Sequence, residues 1–130
     1  MLNNKRFFSR VKVDIKVGFE LVKWNERDLD HCKNSYETSI VDISAKGANL
    51  SDLPNISKGL LKKLSTGKNK IRLNFSLYAD HDPINTFARL IWHQQPDKEG
   101  IDKKRYGFEF IDIPNTAFER IKEFVDSAGN

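Results

Sequence analysis

The segment 38–50, TSIVDISAKGANL from Thr38 to Leu50, has the pattern of two β-strands joined by a short polar turn. Its first half is rich in β-branched residues, and an extended pattern resumes at Gly47. Asp42 and Ser44 project from the same side of an extended backbone, and glycine tolerates the positive φ angle that many tight turns demand. The segment therefore predicts a hairpin with a small polar face, which is either a ligand-binding surface or an ordinary turn of Asp, Ser and Gly.

Further strands are predicted by alternation of apolar and polar residues, which is strict over residues 11–19 and recurs at 71–79 and 106–111. The run 84–92 follows a turn signal at 80–83 and is predicted to form a hairpin with 71–79. A period of two indicates a strand with one face in a core and the other in solvent. The polar segment 25–37 has no apolar period and predicts a loop. The first two strands are therefore expected to be antiparallel neighbours with no helix between them.

Two segments have helical spacing instead. Residues 56–64, followed by Gly67, predict a short helix or turn. Near the C-terminus, Thr116 and Glu119 have the spacing of a capping box. An apolar stripe follows, formed by Ala117, Phe118, Ile121, Phe124, Val125 and Ala128. The pattern predicts a six-stranded antiparallel β-barrel with a short middle helix or turn and an amphipathic C-terminal helix.

Length and composition limit the class of protein. A chain of 130 residues predicts a single domain, which we divide into a flexible arm at 1–10, a barrel at 11–113 and a C-terminal helix at 115–128. The single Cys32 cannot form an internal disulfide, and no apolar run is long enough for a signal peptide or a membrane span. A cytoplasmic protein is expected. The formal charge of +4 favours an anionic partner, and it suits a small ligand as well as a polymer.

Two polar motifs flank the first predicted strands. Arg6 and Arg10 precede the first strand, and Asp42, Ser44 and Gly47 end the second. Because the two strands are expected to be neighbours, both motifs are expected at one end of the barrel. The combination resembles the PilZ domain, the bacterial receptor module for cyclic di-GMP. The likeness extends to the segments ARLIW at 88–92 and YGFEF at 106–110, and so to essentially the whole chain.

The resemblance implies a ligand and a role for each motif residue. Cyclic di-GMP carries two phosphates and two guanines, and the planar fork of arginine bonds both groups in pairs and stacks on bases. Arg6 and Arg10 would thus wrap over the ligand. Asp42 would accept hydrogen bonds from the Watson–Crick edge of guanine, and Ser44 would donate to a phosphate or base oxygen. Gly47 would permit the tight turn and a close backbone approach.

The resemblance also implies a signalling mechanism without a chemical step. Closing Arg6 and Arg10 onto the ligand would order the N-terminal arm and change the surface that a downstream protein reads. Lys5 stands where the family adjusts the number of bound ligand molecules. No enzyme activity and no cofactor are expected, and regulation of motility or biofilm formation is the expected role. The C-terminal helix is either packed on the barrel or used for a homodimer.

The main alternative is an OB-like barrel that binds single-stranded nucleic acid. Residues 105–111 are similar to the aromatic signature strand of an RNA-recognition motif. Tyr106 stands where that signature requires Lys or Arg, however, and Glu109 replaces a small residue on the RNA-binding face. The lack of a helix between the first two strands argues against the RNA-recognition fold itself.

A catalytic site is not supported by spacing. The candidate metal or nucleophile groups are His31, Cys32, His81 and His93, and the candidate carboxylate pair is Glu109 with Asp112. None of these has the spacing of a zinc or metalloprotease motif. His81 is interpreted as a turn residue, His93 as a strand surface residue, and Trp24 and Trp92 as packing residues. A protein-interaction adaptor with the same fold is the remaining alternative.

Overall fold

The computed structural model describes residues 9–29, 36–54, 56–79, 82–94 and 104–128. These residues form six strands and two helices. In chain order they are β1 Arg10–Lys23, β2 Tyr36–Ser44, β3 Gly47–Leu50, α1 Lys58–Ser65, β4 Asn69–Phe75, β5 Ile84–Gln94, β6 Arg105–Ile111 and α2 Asn115–Ala128. The predicted N-terminal residues Lys5 and Arg6 lie outside the described residues, as do His31, Cys32 and His81.

The strands close into an antiparallel barrel in the order β1-β2-β3-β6-β5-β4, with β4 pairing back onto β1. The predicted six-stranded barrel with a middle helix and a C-terminal helix is confirmed. Strand β1 makes the closure, because its first half pairs with β2 and its second half with β4. It begins at Arg10 and continues to Lys23, so it is longer at both ends than the alternating run 11–19.

The hydrophobic core fills the barrel and extends under both helices. The inward-facing residues Val17 and Phe19 of β1 are almost completely buried, as the period of two predicts. Helix α1 begins after Ser57, whose side chain accepts the N–H of Leu60, and Gly67 follows its end at a φ of 80°. These are the start and stop signals expected for a short helix.

Helix α2 packs on the barrel beside β1 and β2. Its buried stripe consists of Ala117, Ile121 and Val125, which join the core cluster. Because the helix begins at Asn115, Thr116 lies inside the first turn, and the capping box expected at that residue is not formed. Among the residues that the structure describes, no helix is long and apolar enough to cross a membrane.

Truncating the centre of this stripe should destabilise the barrel. Ile121 is completely buried, so Ile121→Ala removes core volume that the surrounding strands can refill only in part. We expect the free energy of unfolding to fall by about 2–4 kcal/mol, measured by denaturant titration. Glu123→Ala, at an exposed position of the same helix, is the control. Equal stability of the two variants would contradict the packing of α2 on the barrel.

Candidate functional site

The β2–β3 hairpin forms as the sequence predicts. Strand β2 ends at Ser44, β3 begins at Gly47, and Ala45 with Lys46 makes the connection. Ser44 is 3% exposed, and its Oγ accepts the backbone N–H of Lys46 at 3.1 Å. This local contact is the ordinary turn use of a serine. The hydroxyl group still has its own hydrogen to donate, so this buried serine shapes the turn and keeps one donor.

Asp42 is the centre of a hydrogen-bonded cluster. Its Oδ1 lies 2.5 Å from Nη1 of Arg10, and its Oδ1 and Oδ2 accept from Nδ2 of Asn49 at 3.0 and 2.9 Å. The register explains the cluster, because Arg10 pairs opposite Ser44 on β2 and Asp42 pairs opposite Asn49 on β3. The side chains of Arg10 and Asp42 remain 36% and 21% exposed. One residue of each predicted motif therefore meets the other at the surface.

Gly47 is required for a different reason from the one the sequence suggests. Among the described glycines only Gly67 has a positive φ, so Gly47 does not use the left-handed conformation that glycine tolerates in tight turns. A Cβ atom at Gly47 would instead lie 2.2 Å from the carbonyl oxygen of Phe108. Gly47 pairs opposite Glu109, and only a hydrogen in place of a side chain allows β3 to come this close to β6. The expected close backbone approach is thus made to the protein's own strand.

Strand pairing arranges the surface around this hairpin in two cross-strand rows. The Arg10 row contains Arg10, Ser44, Gly47, Glu109 and Arg89. The Asp42 row contains Lys12, Asp42, Asn49, Gly107 and Trp92. Intervening residues of the same strands, Ile43, Ala48 and Phe108, are buried in the core, so both rows lie on the outer face of the barrel.

Trp92 gives this face a large aromatic surface. The sequence predicts core or rim packing for Trp92, and the structure excludes the core, because 42% of the residue is exposed. A Cβ atom at Gly107 would lie 2.3 Å from Nε1 of Trp92, so the indole lies against the glycine backbone. The sequence signal for this contact is the glycine within the aromatic run 106–110. Its meaning depends on the pairing of β5 with β6, which makes Trp92 the cross-strand neighbour of Gly107.

Charge on the two rows is weakly positive. Nε of Arg89 donates to Oε1 of Glu109 at 2.7 Å, and Arg10 pairs with Asp42. Lys12 adds an exposed cation in the Asp42 row. Sequence reasoning did not assign Lys12, Asn49, Arg89 or Trp92 to the site. This face combines donors, a carboxylate acceptor and an aromatic surface, which are the groups that recognise an anionic molecule with planar bases.

The other polar candidates that the structure describes do not converge on one centre. His93 stacks on Tyr106 with ring centroids 6.2 Å apart, as a residue of the strand surface. Glu109 is paired with Arg89, while Asp112 follows the end of β6. Within the described ranges, no group of three or more His, Cys, Asp or Glu side chains has the arrangement of a metal site.

Comparison with known proteins identifies the family. A model of the PilZ domain matches residues 4–127. The chain belongs to the PilZ domain family. No curated protein gives a significant match to the sequence.

Solved structures share this PilZ fold at low sequence identity. The Bacillus subtilis inhibitor of motility MotI/DgrA is 15% identical with a TM-score of 0.71, over 98% of this chain and 52% of that protein. This chain therefore spans about half the length of MotI/DgrA. The PilZ domain of YcgR from Escherichia coli, solved with cyclic di-GMP, is 12% identical with a TM-score of 0.56, over 95% of this chain and 91% of that one.

A third solved structure is PlzA of Borreliella burgdorferi in complex with cyclic di-GMP. It is 12% identical with a TM-score of 0.52, over 92% of this chain and 50% of that protein. Identities this low show a common fold and do not transfer individual residues.

Proposed function

We propose that this PilZ domain is a cytoplasmic bacterial receptor for cyclic di-GMP, which binds across the Arg10 row and the Asp42 row. Membership of the family supports the proposal, as do the complexes of YcgR and PlzA with cyclic di-GMP. The observation that carries it is the 2.5 Å contact between Arg10 and Asp42. It brings together two polar motifs that are 32 residues apart in the chain.

Asp42 is proposed to read guanine. A carboxylate with two oxygens accepts hydrogen bonds from the N1–H and N2–H₂ groups of the Watson–Crick edge. In the ligand-free protein Asp42 already accepts from the guanidinium of Arg10 and the amide of Asn49. The Watson–Crick edge of guanine contains the same planar arrangement of nitrogen donors as a guanidinium group. Arg10 thus occupies the place proposed for the base.

Binding is therefore proposed to be an exchange of donors on Asp42. Guanine replaces Arg10 on the carboxylate, and the released guanidinium turns to a phosphate or to the O6 and N7 atoms of a base. Asn49 keeps the carboxylate oriented throughout the exchange. Breaking the ion pair between Arg10 and Asp42 offsets part of the binding free energy. This cost is modest, because the Arg10 side chain is more than a third exposed.

The remaining residues of the two rows supplement this contact. Trp92 offers its exposed indole face for stacking on a base. Ser44 donates its hydroxyl hydrogen to a phosphate or base oxygen, and Gly47 keeps the hairpin close to β6. Arg6 is proposed to join Arg10 on the ligand, and Lys5 to set the number of ligand molecules.

Ligand binding is proposed to signal by changing the protein surface that a downstream partner contacts. Ordering of the residues that precede β1 over the bound dinucleotide would present a new face to a downstream protein in the control of motility or biofilm formation. No covalent chemistry and no cofactor are part of this mechanism.

Calorimetric titration with cyclic di-GMP tests the receptor function directly. We expect saturable heat with the cyclic dinucleotide, and no saturation with GTP or a short single-stranded oligonucleotide at the same concentrations. The same titration gives the stoichiometry, one or two ligand molecules per chain. Comparing the stoichiometry of the wild type with that of Lys5→Ala would test the role of Lys5. Absence of binding, or an equal response to the oligonucleotide, would contradict the proposal and favour the nucleic-acid alternative.

A further inference from the structure

A pocket opens on the outer face of the barrel and shares no residue with the two rows. Its volume is about 440 Å³, within the range of small-molecule sites. The residues that follow β1 fold back over β4 and β5 to form one wall. Its lining includes Trp24, Arg27, Lys70, Phe87 and Asp112.

Lys70 is the unusual residue of this pocket. It faces outward from β4, as its inward-facing neighbour Ile71 requires, and yet it is only 3% exposed. Its Nζ lies 3.8 Å from the ring centroid of Phe87 and 5.8 Å from that of Trp24. Burial away from water lowers the pKa of this ammonium group. Lys70 lies one residue before the predicted strand 71–79, and its burial is a property of the tertiary structure.

No carboxylate of the described residues lies within ion-pair distance of Lys70. Glu26, which also lines the pocket, accepts the backbone N–H groups of Arg27 and Asp28 and contacts Arg72 at 3.8 Å. Asp112 acts on Lys70 only from beyond that distance and partly opposes the lowering of its pKa. The contact with the Phe87 ring offsets part of the desolvation cost, but a buried cation is usually retained with an anion beside it.

The other walls supply the rest of a binding site. Arg27 provides a second cation with the fork geometry that bonds phosphate oxygens. Trp24 presents an indole that is 43% exposed, on which a planar ring can stack. Asp112 is an exposed carboxylate at the pocket wall, and carboxylates accept the N–H groups of a guanine edge.

We propose that this pocket binds a purine nucleoside monophosphate, with the phosphate between Lys70 and Arg27 and the base on Trp24. Guanine is the preferred base, because Asp112 accepts its Watson–Crick donors. The site is separate from the proposed cyclic di-GMP surface and does not depend on it.

The two tryptophans provide a direct test, because one lies in each proposed site. In a ¹H–¹⁵N spectrum of the full chain, each gives one indole N–H signal, and Trp24→Phe assigns them. We expect GMP to move the Trp24 signal in a saturable way and to leave the Trp92 signal in place. Ribose 5-phosphate and guanosine, which each lack one half of the ligand, should bind at least tenfold more weakly.

Lys70→Met separates a binding role from a structural one. Methionine is also unbranched and only one heavy atom shorter than lysine, so it fills most of the same space while removing the buried charge and its contact with the Phe87 ring. We expect GMP affinity to fall at least tenfold while the denaturation midpoint stays equal or rises. Lys63→Met, at an exposed position of α1, should change neither quantity. Arg27 is also exposed, so Arg27→Gln should weaken GMP binding without loss of folding. This variant tests the binding role if Lys70→Met does not fold.

Several results would overturn the assignment. They are the absence of a saturable Trp24 shift with GMP, unchanged GMP affinity in both Lys70→Met and Arg27→Gln, or a Trp24 shift produced by cyclic di-GMP as readily as by GMP. The last result would make the pocket an extension of the receptor surface. A negative result with cyclic di-GMP at Trp92 would bear on the receptor proposal alone.

Discussion

Asp42→Ala should weaken cyclic di-GMP binding about a hundredfold. The substitution removes the carboxylate that we propose accepts two N–H groups of guanine, and it leaves those donors without partners in the complex. Hydrogen bonds to a charged group contribute about 1.5–3 kcal/mol each, and part of the loss of two is offset because the variant has no Arg10–Asp42 ion pair to break. A net loss of about 2.7 kcal/mol corresponds to a hundredfold change in dissociation constant. Isothermal titration of the wild type and the variant measures the ratio.

Asp14→Ala is the matched control for this experiment. Asp14 is an exposed aspartate of β1 that lies outside both rows. Its replacement changes the net charge by the same amount and should alter affinity less than threefold. A loss with Asp14→Ala as large as that with Asp42→Ala would show that net charge, and not recognition by Asp42, determines binding.

Arg10→Ala should cost less than Asp42→Ala, because Arg10 has two opposed effects in the exchange mechanism. Its removal takes away a ligand contact, and it also removes the internal competitor that occupies Asp42 in the ligand-free protein. We expect about a tenfold loss, and strong non-additivity in the double variant because the two side chains are in contact. Additive effects of Arg10→Ala and Asp42→Ala would contradict a coupled exchange.

Gly47→Ala should lower the free energy of unfolding by about 3 kcal/mol, at the upper end of the cost of overpacking. The new Cβ would lie 2.2 Å from the carbonyl oxygen of Phe108, which is a backbone atom and cannot rotate away. Strands β3 and β6 would have to separate, at the position where the hairpin presents Ser44. Denaturant unfolding of the variant measures the loss.

Gly107→Ala is the informative comparison. Its Cβ would meet the side chain of Trp92 at 2.3 Å, and a partly exposed side chain can move. We therefore expect a loss of about 1 kcal/mol, together with displacement of the indole from its place in the Asp42 row. Greater destabilisation by Gly107→Ala than by Gly47→Ala would contradict the assignment of Gly47 to strand packing.

The strands and the hairpin could be predicted from local patterns. Residues 47–50 and the long alternation that begins at Val11 became strands, and the polar segment after β1 contains no helix among its described residues. The predicted strand 71–79 is offset, because β4 starts at Asn69 and ends at Phe75. Alternation continues through Leu77, but pairing with β1 and β5 ends at Phe75, and pairing partners decide where a strand stops.

The candidate site was predictable in its residue types and less so in its geometry. Asp42, Ser44 and Gly47 could be selected because their spacing lies within one short segment. The contact of Arg10 with Asp42 also followed in outline from the expectation that β1 and β2 are neighbours. The sequence did not show that Arg10 lies within strand β1 and bonds the carboxylate of Asp42. That contact depends on the strand register, which places Arg10 opposite Ser44.

By itself, the sequence determined the barrel class, the β2–β3 hairpin and the polar motif that the hairpin carries. Each of these depends on residues within about a dozen positions of one another, where alternation and turn preference act directly. Only the tertiary structure decided that Trp92 lies on Gly107 beside the site, that Gly47 serves strand packing, and that Lys70 is buried under the segment after β1. These contacts join parts of the chain that are distant in sequence. They depend on strand register and on a segment that folds back over the barrel, and neither of these leaves a periodic signal in the sequence.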